Sequence, residues 1–99
     1  MTITTNLTGT TQTVSVSGRI DTTTAPEFDT KIKSAIEGVT ELVLDFEKVD
    51  YVSSAGLRVL LSVQKIMKSK GSMKLIHDNE SVYEIFEVTG FSDILTIEQ

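Results

Sequence analysis

Six consecutive residues, Glu41-Leu42-Val43-Leu44-Asp45-Phe46, constrain the fold of this chain more than any others. The run is nearly all apolar and too short for a buried helix, so it reads as a central strand covered on both faces. Apolar residues recur at helical spacing on either side of it. Before it stand Phe28, Ile32, Ala35 and Ile36; after it stand Leu57, Leu60, Leu61, Gln64 and Met67, with Val63 and Ile66 broadening the stripe. A strand set between two amphipathic helices meets its neighbours through crossovers, and crossovers make parallel pairs. Their right-handedness restricts the topology further.

The flanking segments extend this pattern. Thr2 to Leu7 alternates weakly, Thr8-Gly9-Thr10 is a turn signal, and Thr13 to Ile20 alternates cleanly, with Val14, Val16, Gly18 and Ile20 on one face. The two runs predict an antiparallel hairpin with one buried face. Asp21 to Thr24 links the hairpin to the first helix. Thr24-Ala25-Pro26-Glu27 has capping-box spacing with a proline in the first turn, and Gly38 ends that helix. Glu47 to Val52 reads as a connector. Lys70-Gly71 closes the second helix and Ser72 to His77 forms a short strand. Asn79 caps a third helix carrying Val82, Ile85, Phe86 and Thr89, which Gly90 stops, and Ile94 to Ile97 is the last strand. The expectation is one α/β domain over residues 1–99, a mixed, largely parallel sheet of about five strands with three helices, in the order ββαβαβαβ.

Charge and composition narrow the function. Asp and Glu number 14 against 9 Lys and Arg, a net charge of −5. Nucleic-acid binding calls for a basic stripe; Lys65, Lys68, Lys70 and Lys74 read instead as a solvated helix end complementing the C-terminal dipole. The chain has no cysteine, which excludes disulfides, Cys-based zinc sites and thiol catalysis and suits a reducing compartment. Met1 to Asn6 lacks the basic and apolar regions of a signal peptide, and no run approaches the ~20 apolar residues of a membrane span. A cytoplasmic protein is expected, without membrane insertion or nucleic acid.

The segment that carries chemistry is Ser53-Ser54-Ala55-Gly56-Leu57, at the carboxyl side of the apolar strand and the start of the second helix. A hydroxyl there can cap the helix, and it can carry a phosphate, because free N–H groups and the helix dipole both favour negative charge. Gly56 in the first helical turn implies that something approaches closely, either a neighbouring segment of the chain or a partner. Enzymatic readings fail on inventory. Only the trailing half of a G-x-S-x-G elbow is present, and His77 is the one candidate base. His77-Asp78 has no partner at metal-binding spacing, so no metal site is expected, and a Gly-rich phosphate loop ending in Lys-Ser/Thr is missing. The chain reads as a binding module without a cofactor and not as an enzyme.

Leu44-Asp45-Phe46 followed by Val49-Asp50-Tyr51-Val52-Ser53-Ser54-Ala55-Gly56-Leu57 resembles the signature of the STAS domain family, the anti-sigma factor antagonists. Gly18-Arg19-Ile20-Asp21 with Thr24-Ala25-Pro26-Glu27 resembles the family's segment from the second strand into the first helix. Thr89-Gly90-Phe91 before Ile94 to Ile97 resembles its junction between the third helix and the last strand. The resemblance covers almost the whole chain in order. It implies a phosphoacceptor serine modified by an anti-sigma factor that is also a serine kinase. Aligned on Gly56-Leu57, that acceptor is Ser54, with Ser53 as second choice. Ser53 stands where the family signature has Asp, and Ala55 where it has a second hydroxyl. Asp21 matches an acidic position near the kinase-contacting face. Relatives often add a helix after the last strand; ending at Gln99 without one would leave part of the sheet or its helices less covered.

The mechanism so implied is a charge switch. Asp21, Asp50, Tyr51, Ser53, Ser54, Ala55, Gly56, Leu57 and Arg58 would form the docking surface, and docking would free the sigma factor. Phosphorylation would add a charge of about −1.5 to −2 and end the docking, and a phosphatase would reset it. Two other readings remain at this level: an accessory or scaffold module, in a lipid transporter or a stress-signalling complex, and a small-molecule-binding regulatory domain using the same segment.

Overall fold

In the computed structural model, which describes residues 1–98, the strands follow one another across a single five-stranded sheet in chain order. Gln99, the last residue of the expected domain, lies outside the described residues. The elements are β1 (Thr2–Thr8), β2 (Thr11–Ile20), α1 (Ala25–Ala35), β3 (Glu41–Val52), α2 (Ser54–Lys70), β4 (Ser72–Ile76), α3 (Glu80–Thr89), a 3₁₀ turn over Phe91–Asp93, and β5 (Ile97–Glu98). β1 and β2 pair antiparallel, and every later pair is parallel. The mixed, largely parallel α/β sheet with three helices is the architecture that the hydrophobic periods predict.

One face of the sheet makes the core. Val14 and Val16 of β2, Leu42, Leu44 and Phe46 of β3, and Met73 and Leu75 of β4 join Phe28 and Ile32 of α1, Leu57, Leu60, Val63 and Met67 of α2, and Val82 and Phe86 of α3 in one buried cluster. Phe28 and Phe46 meet as a tilted ring pair with centroids 6.3 Å apart, a geometry aromatic quadrupoles favour. Hydrogen bonds tie α1 to the sheet and to α2. Gln12 Nε2 donates to Ala35 O at 3.1 Å, and Lys70 Nζ donates to Ile36 O.

The other face is not covered by helices, contrary to the expectation for the apolar run. The register places Thr2, Thr4 and Asn6 beside Thr13, Ser15 and Ser17, then Val43 and Asp45, then Lys74 and Ile76. This is a polar surface on which Val43 is the buried apolar residue, and Val43 stands outside the main cluster. β3 was apolar because its neighbours on both sides are strands, not because both its faces meet helices.

Two boundaries and one cap also differ from expectation. Glu47 to Val52 is not a connector but the second half of β3, which runs for 12 residues. Register shifts opposite Ser15/Ser17 and Gly18/Arg19 absorb the surplus residues as bulges. They move the buried side chains to Val49 and Val52 and turn Glu47, Lys48, Asp50 and Tyr51 outward, as bulges do when they re-aim a strand. The last strand is confined to Ile97–Glu98, because Phe91 to Asp93 coils and Leu95 N bonds back to Phe91 O at 2.8 Å. Thr24 does occupy the N-cap of α1, but its hydroxyl makes no capping bond. It donates to Arg19 O and accepts from Asp21 N, each at 2.8 Å, so the capping box gives way to a tight turn.

Candidate docking site at the start of α2

Parallel pairing of β2 with β3 builds this site. Ile20 is the register partner of Val52, and Ser53 N donates to Ile20 O at 2.8 Å. The segment after β2, beginning at Asp21, therefore leaves the same sheet edge as the Ser pair. That edge is the carboxyl end of the parallel strands, where ligands and partners of such sheets gather.

The two serines have different work. Ser53 is the N-cap of α2, extended at φ −85° and ψ 175°, and its Oγ accepts from Gly56 N at 3.4 Å. Its carbonyl takes Leu57 N at 2.9 Å. Ser54 is the first helical residue, exposed, and its hydroxyl has no hydrogen-bond partner among the described residues. The first turn of α2 holds no acidic residue, so the positive end of its dipole meets no carboxylate of that turn.

Gly56 answers the question its position raised. A Cβ there would lie 2.7 Å from Ile20 Cγ2, 3.0 Å from Val52 Cγ1 and 3.3 Å from Ile20 O. The close neighbour is the chain itself. Gly56 and Leu57 are buried and support the surface from beneath, while Asp50, Tyr51, Ser54 and Arg58 are exposed and Ser53, Ala55 and Asp21 are half-buried. Arg58 lies four residues after Ser54, on the same face of the helix.

A polar chain beside the Ser pair was not legible from spacing. Arg19 is the register partner of Tyr51; its guanidinium sits 4.5 Å from the centre of the Tyr51 ring and its Nε lies 3.7 Å from Asp21 Oδ2. Asp21 Oδ1 in turn accepts from the Thr23 hydroxyl at 2.7 Å, Thr23 N at 3.0 Å and Thr24 N at 3.1 Å. These bonds, led by the Thr23 hydroxyl, hold the Asp21 carboxyl below the usual carboxylate range. Asp21 and Tyr51 are thus linked through Arg19. The one signal for Arg19 was its place between Gly18 and Asp21, and only the bulged register reveals that it meets Tyr51.

His77 sits at the end of β4, away from the start of α2. It has a φ of +62°, and its Nδ1 lies 3.1 Å from Asp45 Oδ1. No serine hydroxyl is within its hydrogen-bond reach among the described residues. Asp78, next to it, is 5% exposed, and neither carboxylate oxygen has a hydrogen-bond partner among the described residues. Burial pushes its pKa above the usual value.

The model of the STAS domain matches residues 2–99. The chain belongs to the STAS domain family. It is 33% identical over 85 residues to the anti-sigma-B factor antagonist of Bacillus subtilis, covering 85% of this chain and 78% of that protein. Its fold is that of the anti-sigma factor antagonist SpoIIAA. Against the unphosphorylated form the TM-score is 0.82 at 20% identity, covering 99% of this chain and 89% of the other. Against the phosphorylated form from Bacillus it is 0.74 at 19% identity, covering 99% and 92%. In this STAS domain the residues that resemble the family signature, Leu44 to Phe46 and Val49 to Leu57, lie along β3 and the first turn of α2. Among the described residues no helix is long and apolar enough to cross a membrane.

Proposed function

We propose that this STAS domain is an anti-sigma factor antagonist that docks on an anti-sigma factor with serine kinase activity, and that phosphorylation of Ser54 ends the docking. One observation carries the reading. Ser54 offers an exposed, unbonded hydroxyl at a helix N-terminus that has no acid in its first turn, beside a cap taken by Ser53. A kinase can reach that hydroxyl without breaking the fold. The relatives' names support the class of partner, and the phosphorylated form of SpoIIAA supports the class of modification.

The chain's own groups would tolerate the phosphate. It would gain the free N–H groups of α2, and Arg58 stands one turn further along the same face. A docked partner would not tolerate it, because a dianion buried at an interface without a matching cation costs several kcal/mol. A penalty of about 3 kcal/mol weakens binding more than a hundredfold. The switch needs no rearrangement, only a change of charge at one exposed hydroxyl.

Intact-mass measurement after incubation with ATP and the cognate kinase tests the reading. One phosphate is expected on the native chain and on Ser53→Ala, and none on Ser54→Ala. Ser54→Asp should lose at least a hundredfold in affinity for the anti-sigma factor. A phosphate retained on Ser54→Ala moves the acceptor to Ser53; no phosphate with any candidate kinase supports a scaffold role instead.

A further inference from the structure

The uncovered face of the sheet carries a second set of chemically competent side chains, remote in sequence and unused by the phosphoswitch. Asp45 projects onto that face from β3, paired in register with Ile76 at the end of β4. The next residue, His77, brings Nδ1 to 3.1 Å from Asp45 Oδ1. Glu47 enters from the same strand, its N–H donating to Asp45 Oδ1 at 3.1 Å. One donor atom from each of Asp45, Glu47 and His77 lies within 4.8 Å of the other two.

We infer that Asp45, Glu47 and His77 form a binding site for a divalent transition-metal ion of the zinc class. The distances support it. Ligands held at about 2.0–2.2 Å from one such ion are roughly 3–4 Å from each other, so small side-chain rotations bring these three atoms into range. The donor chemistry supports it too. One imidazole with two carboxylates is a set that zinc takes readily, while the imidazole selects against Mg²⁺ and Ca²⁺, which favour all-oxygen shells. Placement is the third support: two donors stand on one strand, and the third follows the strand paired with it, so the backbone is fixed before an ion arrives. Asp45 and Glu47 bring two negative charges, and among the described residues neither has a Lys or Arg ion-pair partner. Lys48 lines, with Thr2, Thr4, Ser15 and Ser17, the cavity of about 250 Å³ onto which Asp45 and Glu47 open. That cavity leaves room for water or an anionic group to complete the coordination.

Titration of the full chain with Zn²⁺ alone, near neutral pH, tests the inference. His77 is the single histidine, so its ring proton signals in NMR report on the site without ambiguity. Saturable one-to-one binding with a shift of those signals is expected, and Mg²⁺ at the same concentration should produce neither. His77→Asn, which keeps a residue tolerant of positive φ, and Glu47→Gln on the exposed surface should each lower the affinity at least tenfold in calorimetry. Ser54→Ala should bind as the native chain does, which separates this outcome from that of the phosphoswitch. An unshifted imidazole at saturating Zn²⁺, or undiminished affinity in both variants, overturns the proposal. The native-chain spectrum decides the matter even where a variant fails to fold.

Discussion

The starts of α2 and α3 are built from the same plan and finished differently. Each is entered from an extended cap residue, Ser53 or Asn79, whose side chain accepts a backbone N–H three residues on. At α3 the cap is short and doubly anchored. Asn79 Oδ1 takes Val82 N at 2.9 Å, and its Nδ2 donates to Val49 O at 3.1 Å. Glu80 answers the dipole in the first turn, and the third helical residue is the buried Val82. At α2 the cap bond is 3.4 Å, no acid follows, and the third helical residue is Gly56. The start of α3 is completed for stability. The start of α2 leaves donors and a positive dipole facing solvent, and there the Ser53 to Leu57 part of the resemblance to the family lies.

Breaking this contrast should have graded effects. The largest is expected for Gly56→Ala. Its Cβ would press on the buried side chains of Ile20 and Val52, and overpacking of this kind costs about 2 kcal/mol despite the better helix propensity of alanine; denaturant unfolding measures it. Next comes Asn79→Ala, which removes a cap and the Nδ2 bond to Val49 O. It should lose about 1.5 kcal/mol, against about 0.5 kcal/mol for Ser53→Ala. Equal losses would erase the distinction between the two caps.

A third test concerns the one flaw at the start of α3, the unpartnered Asp78. Asp78→Asn should gain about 1 kcal/mol at pH 7. The folded-state pKa of Asp78 is raised, so in the native chain its favourable contribution is complete below the ordinary aspartate value and is lost as pH rises through the folded value. The advantage of the variant should therefore shrink on acidification, and thermal melts across pH check the sign. Smallest are two charge changes. Ser54→Asp should stabilise α2 by about 0.5 kcal/mol at low salt, and Glu80→Gln should weaken α3 by a similar amount. Both effects should fade as salt is added.

Much of this was legible in the sequence. The alternation from Val14 to Ile20, the stripes of three helices and the Asn79 cap follow from period and capping chemistry, and the structure shows each. The second half of β3 was illegible for a physical reason. β4 pairs only with Glu41 to Asp45, so beyond that point β3 has a neighbour on one side alone, and its polar residues look like a loop. Val43 misled in the opposite direction, because a strand between strands is apolar without being sandwiched between helices. The position of the Ser pair could be read from the sequence, but the division of labour between Ser53 and Ser54 needed the helix geometry. The Arg19–Tyr51 contact and the meeting of Asp45 and Glu47 with His77 depend on strand register, which spacing along one chain does not encode.

The bulged length of β3 has a kinetic consequence. Asp50 and Tyr51 stand on a strand already fixed by its pairing with β2, so a partner that meets them orders no loop. The conformational entropy lost on association is confined to a few side-chain rotors, and encounter need not wait for a segment to find its shape. Under the proposed switch, a charge on Ser54 would act mainly on how long the partner stays, so the same patch would be met quickly in either state and held in only one.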